Sequence, residues 1–494
     1  MKRASLPDYV ASANPLPLSR RLPWYLSTAQ TYAGVMLWFV FWQDVPVGSG
    51  LSPEAGHYSA FAGGVLSHGL ALALAGVVVA ALLCCFAFYL VPALLGLKSG
   101  FPLYIVGTST YGVRGGFLMP GFLMGLLQFG WLGVSSFFSA LLLCAPFGYG
   151  PLTPPHLAVA ALWAIAAAFV GLKGIRYVAR VASLAPIVPV VTLLVLAAGT
   201  FRGIAHFEPQ TIIEAGLSAS VTLKNQTVLQ AGPALSAAQV LALILTYIVG
   251  YFATAGAAGA DFGMNSRHAK DVVLGGLVGI AITTIFAGGL ALLIVAGGHG
   301  LGLVKDGAIL RATSMLPGVI GPKASGALMW LLALASFPST CFSTLIASNS
   351  LKTTLPKVKP IVSVGLGTLA SIAIVVSGWA GNLIPVFTII GASFGPICGA
   401  MAADYLLAGR KWPGPRAGFN PAGWISWALG FAVGIADFIP GLRHLVPAPP
   451  VAALLMGFLA YLVLAMAGLE NRPLPLPGAN PDSGRGNAKP AWTD

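Results

Sequence analysis

A glutamine and a tryptophan lie three residues apart in the apolar stretch LLQFGWLGVSS, residues 126–136. Side chains at this spacing share one face of a helix, so Gln128 and Trp131 are predicted to point the same way, with Ser135 one turn further along. A buried amide needs hydrogen-bond partners in apolar surroundings. A lone interior tryptophan is more often a packing residue, but packing explains the pair less well, and we treat it as a candidate binding surface.

A second polar stretch, SFPSTCFST at 336–344, places hydroxyl groups on one helical face every three or four residues. Its hydroxyl residues surround Pro338 and are Ser336, Ser339, Thr340, Ser343 and Thr344. Hydroxyls in membrane helices also satisfy the carbonyl one turn back or join neighbouring helices. The pattern by itself therefore leaves a packing role and a binding role open.

The elements that position these stretches are predicted to be membrane helices. Hydrophobic residues make up 57% of the 494 positions and charged residues 8%, which excludes an ordinary soluble surface. A span needs roughly 20 apolar residues, and the apolar runs do not alternate as barrel strands do. We therefore predict an all-α polytopic membrane protein in contact with membrane lipid. The twelve runs are 25–46, 66–94, 118–145, 156–173, 180–200, 237–258, 271–297, 325–349, 358–380, 384–408, 421–441 and 447–468.

Basic residues predict the orientation of the chain. Most of the 26 Lys and Arg residues fall in segments that would share one side, including Lys2 and Arg3 at one end and Arg485 and Lys489 at the other. Both termini are therefore predicted to be cytoplasmic, in a multi-pass protein of the inner (plasma) membrane. The net charge of +13 has this topological explanation, and no nucleic-acid partner is expected because no basic cluster interleaves with aromatic residues.

The sixth run becomes rich in small residues at GYFATAGAAGADFGMNSRHAK, residues 250–270. A glycine-rich interruption frees backbone groups inside the membrane, which is tolerated where they line a cavity or contact a ligand. In proteins built from inverted repeats, the first span of each half is the broken one. The sequence thus predicts a break in run six, with Ala33 and Gly34 marking its counterpart in run one. Close packing of small residues is the alternative explanation.

Acidic residues inside a membrane usually mark function, but the 13 in this chain avoid the centres of the runs. Those at or near the ends of runs are Asp44, Asp261, Asp404 and Asp437. For Asp261 and Asp404 we expect a salt bridge or a helix-end role, and Arg267 or Lys270 could pair with Asp261. A proton relay built on a carboxylate in mid-membrane is not predicted.

Several sequence blocks occur in the order seen in one known family. They are VGSGLS at 47–52, TYGVRGGFLMPG at 110–121, QFGWLGV at 128–134, GYFATAG and ADF within 250–262, SFPST at 336–340, GPICGAMAADYLLAGRKW at 395–412 and GFAVGIADFIPGL at 430–442. With these blocks the chain resembles the nucleobase:cation symporter family, the purine and cytosine permease group, and is most similar to bacterial cytosine permeases.

The resemblance implies a LeuT-like broken-helix fold of 12 transmembrane helices. Ten core helices would form two inverted five-helix repeats, and two further helices would be peripheral. The implied segments are a cytoplasmic N-terminal segment 1–23, a first repeat 24–200, an extracellular loop 201–236, a second repeat 237–410, the last two helices 411–469 and a disordered cytoplasmic tail 470–494.

The resemblance also implies roles for residues of runs three and six. Trp131 would stack on one face of a flat heterocycle, and Gln128 would hydrogen-bond nearby. Run six would form the opposite wall with an aromatic ring and its neighbours. The residues implied there are Phe252, flanked by Tyr251 and Thr254.

The family's cation site is shared between carbonyl groups of span one and hydroxyl groups of span eight. The matching residues are Ala33, Ser336, Ser339 and Thr340. Carbonyl and hydroxyl dipoles suit a small alkali cation, so Na+ or H+ would be the coupling ion, and no other cofactor is expected. Cytosine permeases tend to have asparagines in span eight, some touching the base, where this chain has Ser336 and Ser343. Ser343 therefore joins the substrate-binding candidates, and the heterocycle stays open.

The function that follows from the resemblance is import of a nucleobase or related planar heterocycle, of the cytosine, purine, uracil, hydantoin or allantoin class, by cation symport with alternating access. The alternative is an amino-acid permease of the same fold, which would need no two-sided aromatic clamp. A membrane enzyme would need clustered histidines or carboxylates, and the seven histidines show no metal spacing. A passive channel is a further alternative, and the oligomeric state is not predicted.

Overall fold

The computed structural model describes residues 6–48, 58–174, 185–222, 228–304, 306–442 and 445–476. The VGSGLS block beyond residue 48, the start of predicted run five at 180–184 and the tail from 477 lie outside the described residues. We label the principal helices in chain order as α1 (Thr28–Met36), α2 (Phe39–Asp44), α3 (Leu70–Ser99), α4 (Thr108–Phe147), α5 (Pro154–Lys173), α6 (Ile187–His206), α7 (Ala237–Ala257), α8 (Gly259–Gly263), α9 (Ala269–Gly300), α10 (Pro322–Thr354), α11 (Pro360–Val376), α12 (Leu383–Leu407), α13 (Pro421–Gly434) and α14 (Pro449–Met466).

The segment predicted as the loop 201–236 contains structure of its own. Its described part holds the end of α6, a helix at Pro209–Ser218 and a hairpin of two antiparallel strands. The strands are β1 (Ser220–Thr222) and β2 (Val228–Gln230), and Val221 pairs with Leu229. Shorter α-helices in other connections are Asp8–Ala11, Leu103–Val106 and Leu316–Ile320.

Nine of the described helices are long and apolar enough to cross a membrane, namely α3, α4, α5, α6, α7, α9, α10, α12 and α14. The other three predicted runs form shorter helices. Run one is divided between α1 and α2, run nine is the 17-residue α11, and run eleven is the 14-residue α13. The all-α membrane class is confirmed, whereas the count of twelve spans stays a prediction.

Run one is interrupted at Leu37 and Trp38. The backbone of Trp38 is extended, with φ −62° and ψ 126°, so α1 ends before it and α2 begins after it. The carbonyl oxygen of Leu37 accepts a hydrogen bond from the indole Nε1 of Trp42, 3.0 Å away. A side chain of the same run thus satisfies a carbonyl group that a continuous helix would have bonded.

Two tyrosines of α7 also satisfy carbonyl groups on either side of the interruption. The hydroxyl of Tyr251 donates to the carbonyl of Val35 at 2.5 Å. The hydroxyl of Tyr247 donates to the carbonyl of Phe41 at 2.8 Å. The broken helix is therefore held open against α7 by donors that α7 supplies, as unwound backbone inside a membrane requires.

The interruption predicted in run six lies later than the sequence suggested. α7 continues unbroken through Gly250, and Ala258, with φ −62° and ψ −6°, separates it from α8. A Cβ atom at Gly250 would lie 2.5 Å from the carbonyl oxygen of Phe387, and one at Gly263 would lie 1.9 Å from that of Ala93. These glycines permit close contact with α12 and α3, so small-residue packing, the alternative explanation, accounts for them.

Both ends of the described chain pack on one side of the bundle, which we call the terminal face (residues 6–22, 412–420 and 470–476). The hydroxyl of Tyr9 donates to the carbonyl of Val113, and the Val113 N–H donates to the carbonyl of Arg416 at 2.8 Å. Gly112 makes this contact possible, because its φ of +80° suits glycine and a Cβ there would lie 2.3 Å from the carbonyl oxygen of Gly418.

A buried ionic cluster lies under the terminal face. Arg416 Nη1 lies 2.8 Å from Asp404 Oδ1, and its Nη2 lies 3.0 Å from Glu470 Oε1. Asp404 Oδ2 accepts from the hydroxyl of Ser109 at 2.7 Å. The salt bridge expected for Asp404 is confirmed. Glu470 is the first residue of the tail predicted to be disordered. The described part of that tail, residues 470–476, is instead held by this cluster and by Asn471, whose side-chain amide donates to the carbonyl groups of Ala417 and Phe419.

Asp261 has a helix-end role rather than a basic partner. Its carboxylate accepts a hydrogen bond, 2.9 Å long, from the N–H of Leu103, the first residue of the helix Leu103–Val106. Arg267, an expected partner, instead donates to the carbonyl of Arg21 at 3.0 Å. The helix-end expectation for Asp261 is thus confirmed by a contact between distant parts of the chain.

The close glycine contacts give a direct test of the packing. We expect Gly263→Ala to lower the free energy of unfolding by about 1–3 kcal/mol, since the new methyl group would overlap the carbonyl of Ala93. Gly365→Ala in α11 is the matched control, because a Cβ there meets no atom within 4 Å and alanine favours a helix by up to about 1 kcal/mol. Thermal unfolding in detergent measures both, and equal stability of the two variants would contradict the packing.

Candidate functional site

The tryptophan of run three lies in a cluster of buried aromatic side chains from four parts of the fold. The centroid of the Trp131 ring in α4 lies 5.3 Å from that of Tyr251 in α7, 5.5 Å from Phe387 in α12 and 5.9 Å from Trp38 at the break in run one. Trp131 and Tyr251 meet edge to face at 87°, a geometry that aromatic pairs favour. We call these four residues the aromatic cluster.

Thr254 of α7 contacts the edge of this cluster, and Gln128 lies one helical turn before Trp131 on α4. The Trp131 indole N–H donates to the hydroxyl of Thr254, with Nε1 and Oγ1 3.3 Å apart. Gln128 is buried on the same face of α4, and its amide nitrogen lies 3.6 Å from the sulfur of Met124. A thioether is a weak acceptor, so the Gln128 amide retains most of its capacity to bind a polar ligand.

Phe252 lies on a different side of α7 from the aromatic cluster. It is fully buried, and its ring centroid lies 5.7 Å from that of Tyr32 in α1. Tyr251 is the α7 ring in contact with Trp131 in this conformation. The structure therefore brings together Trp131, Tyr251 and Thr254, with Gln128 one helical turn before Trp131 on α4, and it places Phe252 one residue position away, against α1.

Two small residues near the cluster in sequence are not closely packed. A Cβ atom added to Gly34 in α1 or to Gly130 in α4 would meet no atom within 4 Å. Ala33 is half-buried next to Gly34, and Gly130 directly precedes Trp131.

The hydroxyl groups of run eight bind to hydroxyl groups of run three. Ser336 Oγ lies 2.8 Å from Ser139 Oγ, and Thr340 Oγ1 lies 2.5 Å from Ser135 Oγ. Ser336 and Thr340 are buried, and each also donates to a carbonyl group of α10. In this conformation the two pairs join α10 to α4, which corresponds to the packing role that the sequence left open.

The other candidates of run eight are less enclosed. Ser339 and Ser343 are half-buried on α10, four residues apart and so on one face of the helix. α10 packs chiefly against α4 and α5. Ala33 lies in α1, where its carbonyl accepts from the N–H of Leu37 at 2.8 Å. The predicted cation ligands are therefore divided between α1 and a helix that packs mainly on α4 and α5.

A buried ion pair closes the end of the broken run. Arg311 contacts Asp44 with both ends of its guanidinium group, Nε to Oδ1 at 2.5 Å and Nη2 to Oδ2 at 3.0 Å. The guanidinium also lies over the ring of Phe138 in α4, 5.4 Å from its centroid. Next to the pair, the Thr313 hydroxyl donates to the Gln43 amide oxygen at 2.9 Å. The end of α2 is thus fixed to the segment that follows α9.

Sequence reasoning missed three residues of this region, Trp38, Phe387 and Arg311. The dense aromatic stretch WFVFW at 38–42 was a signal for Trp38, and Asp44 at the end of run one needed a cation. Phe387 gave no signal, because an apolar residue in an apolar helix resembles any packing residue.

Known proteins resemble this chain in sequence and in fold. No family model matches the chain. The cytosine permease of Escherichia coli strain K12 is 25% identical over 381 residues, covering 75% of this chain and 78% of the permease. The inward-facing conformation of Mhp1 has a TM-score of 0.60 at 16% identity and covers 94% of this chain and 96% of Mhp1.

Two further solved structures have the same fold. Mhp1, described as a nucleobase-cation-symport-1 family transporter, in a closed conformation with bromovinylhydantoin bound has a TM-score of 0.56 at 16% identity, with 94% of this chain and 97% of that one covered. A Na+-coupled sialic acid symporter in a substrate-bound outward-open state has a TM-score of 0.52 at 14% identity, with 96% and 95% covered.

The fold is that of multi-pass membrane transporters, to which Mhp1 and the sialic acid symporter belong. Within that class, the similarity to cytosine permeases together with the fold of Mhp1 supports a nucleobase:cation symporter. The resemblance stated from the sequence blocks is confirmed. The relatives are transporters, and this chain is not an enzyme.

The ion pair between Asp44 and Arg311 gives a test of how the broken run is held. We expect Asp44→Asn and Arg311→Met each to lower the free energy of unfolding by about 3–5 kcal/mol, because each leaves a buried partner unpaired. The double variant should be less destabilised than the sum of the two. Reversible unfolding in mixed detergent micelles measures the coupling, and additive losses would show that the two groups act independently.

Proposed function

We propose that this chain is a secondary active transporter that carries a nucleobase or related planar heterocycle across the inner membrane together with Na+ or H+. It would work by alternating access, with 12 spans, two inverted five-helix repeats in contact with lipid, and both termini cytoplasmic. The observation that carries the proposal is the meeting of Trp131, Tyr251 and Trp38 beside the interruption in run one. Sequence similarity to cytosine permeases supports the substrate class.

The chemistry of the aromatic cluster suits a flat polar ring. The indole of Trp131 offers a broad face for stacking, which every nucleobase can use. The hydroxyl of Thr254 lies at its edge, the amide of Gln128 lies one helical turn away on α4, and both would supply donors and acceptors. Side chains of α4 and α7 would thus form hydrogen bonds to the edge of a heterocycle that is stacked on Trp131.

The second wall of the site depends on conformation. Tyr251 lies edge-on to Trp131 and donates its hydroxyl to Val35. Rotation of its ring or a small shift of α7 would open a slot against Trp131 for a substrate. The role of Phe252 as the opposite wall, and that of Ser343 as a substrate contact, stay predictions.

For the cation we propose oxygen ligands from runs one and eight, the carbonyl of Ala33 with the hydroxyls of Ser336, Ser339 and Thr340. Ser336 and Thr340 are now paired with Ser139 and Ser135. The cation would replace these contacts when α10 approaches α1. Binding would then be coupled to the position of α10, which is the coupling that symport needs.

A gate would lie at the far end of the broken run, on the side away from the termini. The pair of Asp44 and Arg311 fixes α2 to the segment after α9 and lies against α4. We propose that this contact closes the side away from the termini in the present conformation. Its release would open the site to that side while α10 moves onto α1.

Uptake into proteoliposomes tests the proposal. We expect radiolabelled cytosine or another heterocycle of the set uracil, adenine, hypoxanthine, allantoin and hydantoin to accumulate faster with an inward Na+ or H+ gradient. Trp131→Ala should weaken the apparent affinity roughly 5- to 150-fold, since stacking contributes about 1–3 kcal/mol per base.

Trp379→Ala is the matched control, because Trp379 is 45% exposed and lies in a connection outside the aromatic cluster. It should leave uptake unchanged. Absence of uptake and of competition by every heterocycle would sink the nucleobase proposal, and amino acids would be the next substrates to assay. An uptake rate that changes with neither the Na+ gradient nor the H+ gradient would indicate a passive channel instead.

A further inference from the structure

We infer that the indole N–H of Trp38 donates a hydrogen bond to the substrate, so that the transported heterocycle carries an acceptor, a ring carbonyl oxygen, at that edge. The inference rests on the proposed function and adds a residue that determines specificity. Trp38 has this role because the interruption of run one brings its side chain into the aromatic cluster.

The first observation is an unused donor. The Nε1 atom of Trp38 is buried and has no hydrogen-bond partner among the described residues. Seven other tryptophans of the described chain do donate, to a carbonyl oxygen or a threonine hydroxyl; they are Trp42, Trp131, Trp163, Trp330, Trp412, Trp424 and Trp427. Indole nitrogen is a donor only, and leaving it buried without an acceptor costs free energy. Trp38 therefore differs from these seven tryptophans in having a buried donor with no partner among the described residues.

The second observation is position. The Trp38 ring lies 6.2 Å from Tyr251, inclined by 26°, and 5.9 Å from Trp131, inclined by 66°. The N–H of Trp131 is already bonded to Thr254. Of the two indoles in the cluster, Trp131 can thus present its ring face to a ligand, whereas Trp38 can donate its N–H.

The third observation is the backbone at Trp38. Its extended conformation lies between α1 and α2, whose nearby carbonyl groups are already bonded to Tyr251 and Tyr247. A ligand acceptor at Trp38 would therefore bind to the part of run one that lies between Ala33, a proposed cation ligand, and Asp44 of the ion pair. Through this contact, the identity of the substrate would affect the run that carries both the proposed cation ligand and the ion pair of the proposed gate.

The test compares ligands with and without one ring carbonyl group in wild type and in Trp38→Phe. Cytosine and 4-aminopyrimidine differ by the ring carbonyl, and hypoxanthine and purine form a second pair. Binding to purified protein is measured by competition against whichever labelled heterocycle binds. We expect wild type to favour the carbonyl member of at least one pair by tenfold or more, and Trp38→Phe to reduce that ratio to threefold or less.

Trp38→His serves as a second variant, since it retains a ring N–H in a smaller side chain, and it should keep part of the discrimination. Trp427→Phe in α13 is the control, because its N–H is already bonded to the carbonyl of Ser393 outside the aromatic cluster; it should leave the ratio as in wild type. A wild-type ratio near one for both pairs, or a ratio unchanged in Trp38→Phe, would overturn the inference while leaving the transporter proposal intact. If no heterocycle binds wild type, the transporter proposal fails first and the role of Trp38 fails with it.

Discussion

Inside an apolar bundle every backbone carbonyl group needs a donor, and the interruption of run one at Leu37 and Trp38 removes those that a continuous helix would supply. Tyr251 and Trp42 supply two of the missing donors, to the carbonyl groups of Val35 and Leu37, and Tyr247 of α7 donates to the carbonyl of Phe41 inside α2. Because both tyrosines also stand among the rings around Phe41 and Trp131, the interruption and the aromatic cluster are one arrangement. Movement of α7 would alter both together.

Glycines set how closely the other helices approach this arrangement. Gly250 lets α7 lie directly on the carbonyl of Phe387, and this contact brings the Phe387 ring of α12 towards Trp131. Gly263 and Gly96 allow similar contacts between α8 and α3. In contrast, Gly34 and Gly130 leave space open. The same residue type therefore allows close helix contacts in one place and lies in open space in another.

The sequence predicted the helical class, the salt bridge of Asp404 and the meeting of Trp131 with Tyr251 and Thr254, because these follow from composition, charge and shared blocks. It predicted an interruption in runs one and six but placed each too early. The break in run one lies at Leu37 and Trp38 rather than at Ala33 and Gly34, and the one in run six lies at Ala258, because the earlier glycine Gly250 serves close packing. A helix interrupted by tertiary contacts from α7 has no local signature. For the same reason the contact of Asp44 with Arg311, 267 residues apart, could not be read from composition.

Linkage between substrate and cation is the property on which the proposed transporter depends, and equilibrium binding of labelled heterocycle to the purified protein measures it most directly. We expect the affinity for one heterocycle of the set to rise with Na+ concentration, or with H+ if protons are the coupling ion. Thermodynamic reciprocity then requires the heterocycle to raise the cation affinity by the same factor. Heterocycle binding that is independent of both cations would contradict symport, and the absence of binding by any heterocycle would contradict the substrate class.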